Sequence, residues 1–589
     1  MGNRRLPALL LLCFWLCPLV GMPSAVPQES IFPKNQLRPG MHGLTYTVLQ
    51  GNKIEPLQTE ILGIAKDFVG PGLDLIIAKL VDAKTATTGA VHGMSGSPLY
   101  VEGKLVGALS RRIASFEKDG HCGFTPIEDM LRVEQEPPSD PRTRPSPIQL
   151  RDAWHWAAPR PLRGALLRAD YLGIPLSVGG LNPRVVGQFL EALGLRGTPV
   201  LSVPGGGTTT IAGGGSALEP GAPLAAVMMT GDINISGTGT LTWRSGNRVL
   251  AFGHPMFGFG KSTLPMAAAE VVTTVPSYET PYKLTNVGRV VGTILEDRLS
   301  AIGGEVGQMP KLASYRIERF HRGRPLPTLQ GEFISHPLLT PFLVELAMGQ
   351  IFSATDSFGR TFTLSIDGLV HFRNLPSLHL KGIYSGEDGD LASAILEMVQ
   401  PLQLLFQQPW SEPIVESLEL KTASTEVEEN WAIERASVDN ARCNPGSTIW
   451  IHLLLQERHG RRISRRVPLL LPRGLQGQPV TIRISSGHAL DTRALLRKVP
   501  SAESPEELIA LLNEQRPNNV LYVQAVTESS GLVSEAADLP ALPPTIRAAL
   551  SPATSSKKEE TWNDLVWSEA TLTIDGVVSG EQLLRIDVR

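Results

Sequence analysis

The sequence predicts a mainly β protein, and three observations carry that expectation. Glycine and proline are abundant, at 57 and 47 of 589 residues, about 18% against a usual ~12%, which favours many turns and short strands over long helices. Short apolar alternations recur between Gly, Asn and Asp punctuation, at 44–49, 59–64, 73–81, 99–101 and 105–110. The alternating run 233–243 meets Ser245, Gly246 and Asn247, which read as a hairpin turn into 248–252. With 42% hydrophobic residues the chain can fill several cores, and roughly four domains fit at about 150 residues each. Basic and acidic residues nearly balance, 54 against 57. There is no basic run of the kind that collects phosphate contacts, so no nucleic-acid partner is expected.

The first 25 residues read as an export signal. Arg4 and Arg5 give a positive start, 9–20 is an apolar run, and Pro23, Ser24 and Ala25 offer small residues for cleavage. The competing reading is an N-terminal anchor, since the run approaches the ~18 residues a span needs. After signal removal no stable membrane span is expected: the longest later apolar stretch, 338–354, is interrupted by Pro341 and Glu345. The expected location is exported, periplasmic or extracellular, with association to the cell envelope as a further option. Cys13 and Cys17 leave with the signal. Cys122 and Cys443 remain, and an oxidising compartment permits a bridge between them, a point left open.

Five further segments are expected. Residues 37–133 read as strands closed by a short helix, with Pro126 at its first turn and Glu128 and Asp129 after it. Residues 134–216 combine a linker rich in proline and charge with helical signals from 151 to 195 and the glycine runs 205–207 and 213–215. A second β-rich block spans 217–340. Residues 341–430 look like a mixed α/β connector, with strands at 361–372 and 377–384 and a helix at 391–408. The remainder, 431–589, reads as a C-terminal β-sandwich-like module containing an antiparallel pair at 447–456 and 462–471. The tract 539–556, rich in Pro, Ala and Ser, reads as a loop.

The sharpest local signal is Val91-His92-Gly93-Met94-Ser95-Gly96-Ser97-Pro98. Glycine on both sides of Ser95 lets the backbone turn tightly and aim successive N–H groups into one concavity, as an oxyanion site needs. By analogy with known serine triads, the Gly93 and Ser95 amides are the expected donors. A serine hydroxyl is a weak nucleophile unless a base takes its proton. His254 follows an apolar strand and sits in a Gly/Pro turn, which suits a base held at a cleft edge, whereas His92 shares the serine's own loop and reads as structural. Gly260-Lys261-Ser262-Thr263 invites a nucleotide-loop reading, but Pro255 stands where a glycine is required and no helix follows. No cofactor and no metal are expected, since no histidine or cysteine cluster has ligand spacing.

The serine string, continued through Gly107-Ala108-Leu109-Ser110 and 123–128, resembles the nucleophile region of the SpoIVB (sporulation stage IV B) serine peptidase family. Gly237-Thr238-Gly239-Thr240-Leu241-Thr242 and Ala251-Phe252-Gly253-His254 resemble that family's histidine block. The resemblance implies a trypsin-like double β-barrel from two half-domains, serine endopeptidase activity by an acyl-enzyme route, Ser95 as nucleophile and His254 as general base. In the family the histidine block comes first; here the order is permuted. The family's third residue is an Asp shortly before the serine string, matched by Asp82 with a two-residue gap, and Asp232 is an alternative orienting carboxylate. The expected partners are a protein or peptide substrate, the chain itself included, and an envelope component met through the C-terminal module. The competing class is an inactive envelope protein of binding or structural role that keeps the peptidase-like fold.

Overall fold

The computed structural model describes residues 30–86, 88–114, 119–134, 148–149, 172, 174–179, 200–204, 218–277, 280–353, 361–387, 390–408, 410–458, 460–475, 477, 479–497, 501–533, 538–539, 545–546 and 560–589. The expected signal, most of the linker at 134–148, most of the stretch 151–195, both glycine runs and most of the tract 539–556 lie outside the described residues; within 151–195, where the sequence carries helical signals, the described Ile174–Gly179 is instead a strand paired with Asn234–Gly237. The mainly β expectation holds throughout the rest.

Six strands close the first barrel: β1 (His42–Val48), β2 (Ile54–Gly70), β3 (Leu73–Leu80), β4 (Pro98–Val101), β5 (Lys104–Arg112) and β6 (His121–Pro126), in the order β1-β2-β3-β6-β5-β4 with β4 returning to β1. Along β1 buried positions alternate with half-buried ones from Gly43 as far as Thr47, and on the second face Tyr46 packs against the core between the rings. Its core holds Leu57, Ile61, Ile76, Leu99, Val106, Leu109 and Phe124. Strand β5 is buried at every position but its first and last. A wall strand reads that way when its outer face is also covered.

What covers it is a second ring of six strands: β7 (Pro223–Gly231), β8 (Asn234–Ser245), β9 (Arg248–Ala251), β10 (Gly260–Val275), β11 (Tyr282–Arg298) and β12 (Ala301–Val306). Their pairings run β7-β8-β9-β12-β11-β10, and β10 returns to β7 through Leu224 opposite Ala268. Numbered within each ring, this is the same strand order as the first. The two rings meet over a small shared core in which Tyr100, Leu105, Ala108, Ile127, Met130 and Val133 of the first pack with Leu250 and Ala301 of the second. The helix Ile127–Leu131, read from the Pro126 start, is there to deliver Ile127 and Met130 to that seam. Backbone bonds add to it, with Gly51 and Val271 exchanging both of theirs.

The second ring does not stand alone. Strand Arg324–Phe333 pairs with β7 and carries the sheet outward through Ala313–His321, Val415–Thr425, Thr361–Phe372 and Leu375–Glu387. Residues 361–425 thus extend the histidine block's sheet, and the helices Thr340–Ser353 and Leu391–Gln407 share its core. No helix among the described residues is long and apolar enough to cross a membrane. Apart from Ser501–Ala502, which pairs with Ile148–Gln149, the described strands of 430–589 form two sheets that share one apolar core, with Trp431, Ile451 and Leu455 from one and Ile482, Val523 and Ile586 from the other. The pair expected at 447–456 and 462–471 is present as Thr448–Glu457 and Arg462–Leu470. Cys122 is buried in the first barrel and Cys443 in this C-terminal core, and no disulfide joins them.

Candidate active site

Ser95 lies in the connection between β3 and β4 of the first ring, and His254 in the connection between β9 and β10 of the second. These are the equivalent connections of the two rings. The serine loop is rigid for reasons written in its glycines. Gly96 has φ +94°, and a Cβ there would lie 1.9 Å from the Thr240 carbonyl oxygen, so only glycine lets the two chains approach. Gly93 also takes a positive φ, +92°. Met94 N–H donates to the Val91 carbonyl, Gly96 N–H to Leu109 and Ser97 N–H to Met94. Among the described residues, neither the Gly93 nor the Ser95 amide donates to a protein acceptor. Two amides left open on either side of Met94 are what the oxyanion expectation requires.

Strand β8 stitches this loop to the second ring. Thr240 N–H donates to the Ser95 carbonyl at 2.7 Å, its hydroxyl donates to the Gly93 carbonyl at 3.1 Å, and the Thr242 hydroxyl donates to Gly96 at 2.7 Å. The Thr240 carbonyl in turn accepts from Phe252 N–H, two residues before His254. From the other side, the Thr125 hydroxyl on β6 donates to the Gly253 carbonyl at 2.6 Å. The serine loop and the histidine turn are therefore held against each other by both rings.

Ser95 and His254 are both fully buried. The Ser95 hydroxyl has no hydrogen-bond partner among the described residues. His254 Nδ1 lies 2.7 Å from the Pro255 carbonyl oxygen. A carbonyl only accepts, so the neutral ring is assigned its proton on Nδ1, leaving Nε2 as the basic nitrogen. Burial pushes the ring's pKa down to about 4; the Pro255 and Leu172 carbonyls oppose this by favouring the cation, and the Arg111 and His92 charges add to it. The imidazole is consequently neutral, and competent to accept a proton, well into the acidic range.

Neither expected acid orients this ring. The Nδ1 position, which a triad carboxylate takes, is filled by Pro255. Asp82 instead caps the short helix Ala83–Thr85, with one oxygen accepting from Lys84 N–H at 2.9 Å and the other from Gln58 N–H at 3.4 Å. Its place at the end of β3 makes it a local cap. Asp232 accepts from Gln330 N–H at 2.7 Å at the outer end of β7. The His92 backbone pairs with the second ring, its N–H donating to Pro281 and its carbonyl accepting from Lys283 N–H.

Two buried charged residues were not foreseen. Asp297, near the end of β11, is fully buried and accepts amide bonds from Met256 at 2.7 Å, Phe257 at 2.8 Å and Gly258 at 2.9 Å, with Phe259 at 3.4 Å. It clamps the loop that carries His254. Burial raises its pKa and the four amides hold the rise back. Lys283 is fully buried beneath the serine loop, its Nζ donating to the Thr47 hydroxyl at 2.8 Å, which lies 3.0 Å from the Ser97 hydroxyl. Burial pushes its pKa down to about 7.

Residues 27–131 match the SpoIVB peptidase S55 family. The matched S55 stretch spans the first barrel, from before β1 to the end of the helix Ile127–Leu131, and contains the whole serine loop; His254 and the second ring lie outside it. No curated protein and no solved structure matches the chain.

Proposed function

We propose that this protein is an exported serine endopeptidase of the SpoIVB type with a trypsin-like double barrel. The observation that carries the reading is that the Ser95 loop and the strand end leading to His254 are both bonded to Thr240, each in the equivalent connection of a six-stranded ring, with the Gly93 and Ser95 amides open beside the serine. The family match at the serine loop supports the same reading.

In this mechanism His254 takes the Ser95 proton, and the Ser95 oxygen attacks a substrate peptide carbonyl. The Gly93 and Ser95 amides receive the negative charge that develops on the carbonyl oxygen. The leaving amine takes the proton from His254, and water then hydrolyses the ester, with the same ring acting as base. Asp297 acts on His254 only through the loop it clamps, and the backbone carbonyl of Pro255 fixes the tautomer. Substrates are proteins or peptides, and the C-terminal sheets are the surface for an envelope partner. Hydrolysis of unfolded protein substrates by wild type, and its loss in both Ser95→Ala and His254→Ala while the fold is retained, tests the reading; hydrolysis unchanged in either variant would remove that residue from the mechanism.

A further inference from the structure

Lys283 is tied to both peptides that supply the expected oxyanion donors. The Gly93 amide belongs to the peptide that begins with the His92 carbonyl, and that carbonyl accepts from Lys283 N–H at 2.9 Å. The Ser95 amide belongs to the peptide that begins with the Met94 carbonyl, and that carbonyl accepts from the Ser97 hydroxyl at 2.6 Å. The Ser97 hydroxyl lies 3.0 Å from that of Thr47 on β1, and Lys283 Nζ donates to Thr47 at 2.8 Å. The backbone of Lys283 therefore holds one donor peptide, and its side chain reaches the other through two hydroxyls.

A planar trans peptide points its carbonyl and its N–H in opposite directions. Fixing the His92 and Met94 carbonyls turns the Gly93 and Ser95 amides away from the groups that hold them, and neither peptide can flip without breaking those bonds. Thr47, Ser97 and Lys283 are all fully buried, so the bonds act where the local dielectric is low. The stem of Lys283 also packs on the loop: a Cβ on Gly93 would lie 3.2 Å from Lys283 Cβ and 3.4 Å from its Cδ. An ammonium only donates and a carbonyl only accepts, so the chain from Lys283 to Met94 has a charge at one end and the oxyanion peptide at the other, and bonds in such a chain polarise one another. Burying an ammonium whose one side-chain partner among the described residues is a hydroxyl costs stability, and an apolar side chain would fill the place at less cost. The loop above it supplies the reason for a lysine.

Resting on the serine peptidase reading, we propose that Lys283, acting through Thr47 and Ser97, is the positioning residue of the oxyanion site: it keeps the Gly93 and Ser95 amides turned toward the reacting carbonyl, and so governs the rate of the chemical step and not the binding of substrate. The backbone half of this hold survives any substitution at 283. The side-chain half does not, and it is the half that can be tested.

The test follows fluorophosphonate labelling of Ser95 in the full chain, resolved into the probe's initial affinity and the maximal rate of bond formation, because the phosphoryl oxygen takes the place of the carbonyl oxygen. The forms compared are wild type, Lys283→Met, Thr47→Val, Thr47→Ser, Ser97→Ala and the double variant Lys283→Met with Thr47→Val. Losing an oxyanion donor outright costs about 100-fold or more. Here both donors remain, and Ser97 N–H still bonds the Met94 carbonyl at 2.9 Å. The maximal rate should therefore fall about 10-fold in Lys283→Met, Thr47→Val and Ser97→Ala, with the probe's affinity kept within about 2-fold. Thr47→Ser keeps the hydroxyl and should stay within about 2-fold of wild type in both. The double variant should be no slower than the slower single one, since either change alone already breaks the chain. Lys283→Met, which removes a buried charge, should be at least as stable as wild type at pH 6, so slower labelling there reads the loop and not the fold. Wild type that takes the probe while folded Lys283→Met and Ser97→Ala take it equally fast, or a double variant in which the two losses multiply, overturns the inference and leaves the peptidase reading standing. Folded wild type in which Ser95 takes no probe overturns both.

Discussion

The backbone amide of Thr240 donates to the carbonyl of Ser95 at 2.7 Å, and the carbonyl of Thr240 accepts from Phe252 at 3.2 Å. One residue of β8 therefore touches both the serine loop and the start of the histidine turn. The position of the nucleophile is set by the second ring as much as by the first, although Ser95 and Thr240 are 145 residues apart in sequence.

Gly96→Ala tests that contact. The new Cβ would lie 1.9 Å from the Thr240 carbonyl oxygen and 2.5 Å from Phe252 N, at a backbone φ of +94°. Both the left-handed backbone and the overlap are unfavourable, together about 3 kcal/mol or more. Chemical denaturation should show that loss, and the variant's peptidase activity should fall at least 100-fold, because relief requires the serine loop to lift from β8.

The His254 ring sets the acid side of both activity and stability. Its folded pKa is lowered to about 4 from an unfolded value of 6.5. The unfolded chain therefore binds the proton first as pH falls. Stability from this group is intact above pH 6.5 and declines between 6.5 and about 4, by about 3 kcal/mol in all. Unfolding free energies measured across that window should show the decline in wild type and a flatter profile in His254→Gln. The acid limb of kcat/KM should fall near pH 4 instead of near 6.5.

Removing the Asp297 carboxylate strands four loop amides in a buried site. Asp297→Ala should cost about 3 kcal/mol in urea unfolding, and Asp297→Asn, which keeps one acceptor oxygen, less. Because the loop carries His254, kcat should fall in the order wild type, Asn, Ala while the acid limb of the pH profile stays near 4, since the carboxylate does not touch the ring.

Lys283 follows the same sign as His254, in a higher pH window. Its folded pKa of about 7 lies below the 10.5 of the free side chain, so burial penalises folding fully below pH 7 and the penalty fades as pH rises toward 10.5. Lys283→Met replaces the ammonium with an apolar group of similar length. It should stabilise the fold at pH 6 and lose that advantage by pH 10, which paired denaturation curves at the two values will read.

How much of this was legible in the sequence follows from how local each feature is. The serine loop declared itself because Gly93 and Gly96 surround Ser95 within four positions, and β1, β3 and β5 showed because their apolar alternation is a local pattern. His254 was legible as the end of a strand running into a Gly/Pro turn. Asp297 was not, because its role depends on the end of β11 being folded over a loop some forty residues earlier, and nothing near Asp297 in sequence signals that. Asp82 drew attention by its distance to the serine string, yet a carboxylate one residue before a short helix is satisfied locally by Lys84. Strands β10 and β11 escaped because Pro265 and Gly292 interrupt their patterns, and the structure absorbs such residues at irregular register. Leu172 falls in a stretch whose composition suggests helix, and only the seam between the two rings gives it a strand to join.

The most direct test of the account is fluorophosphonate labelling of the purified, folded protein, comparing wild type, Ser95→Ala and His254→Ala by intact mass and by peptide mapping. The account predicts one adduct per chain, mapped to Ser95, absent from Ser95→Ala and at least 100-fold slower in His254→Ala. Labelling at Ser95 at the same rate in His254→Ala, or no adduct on Ser95 in any folded form, would contradict it.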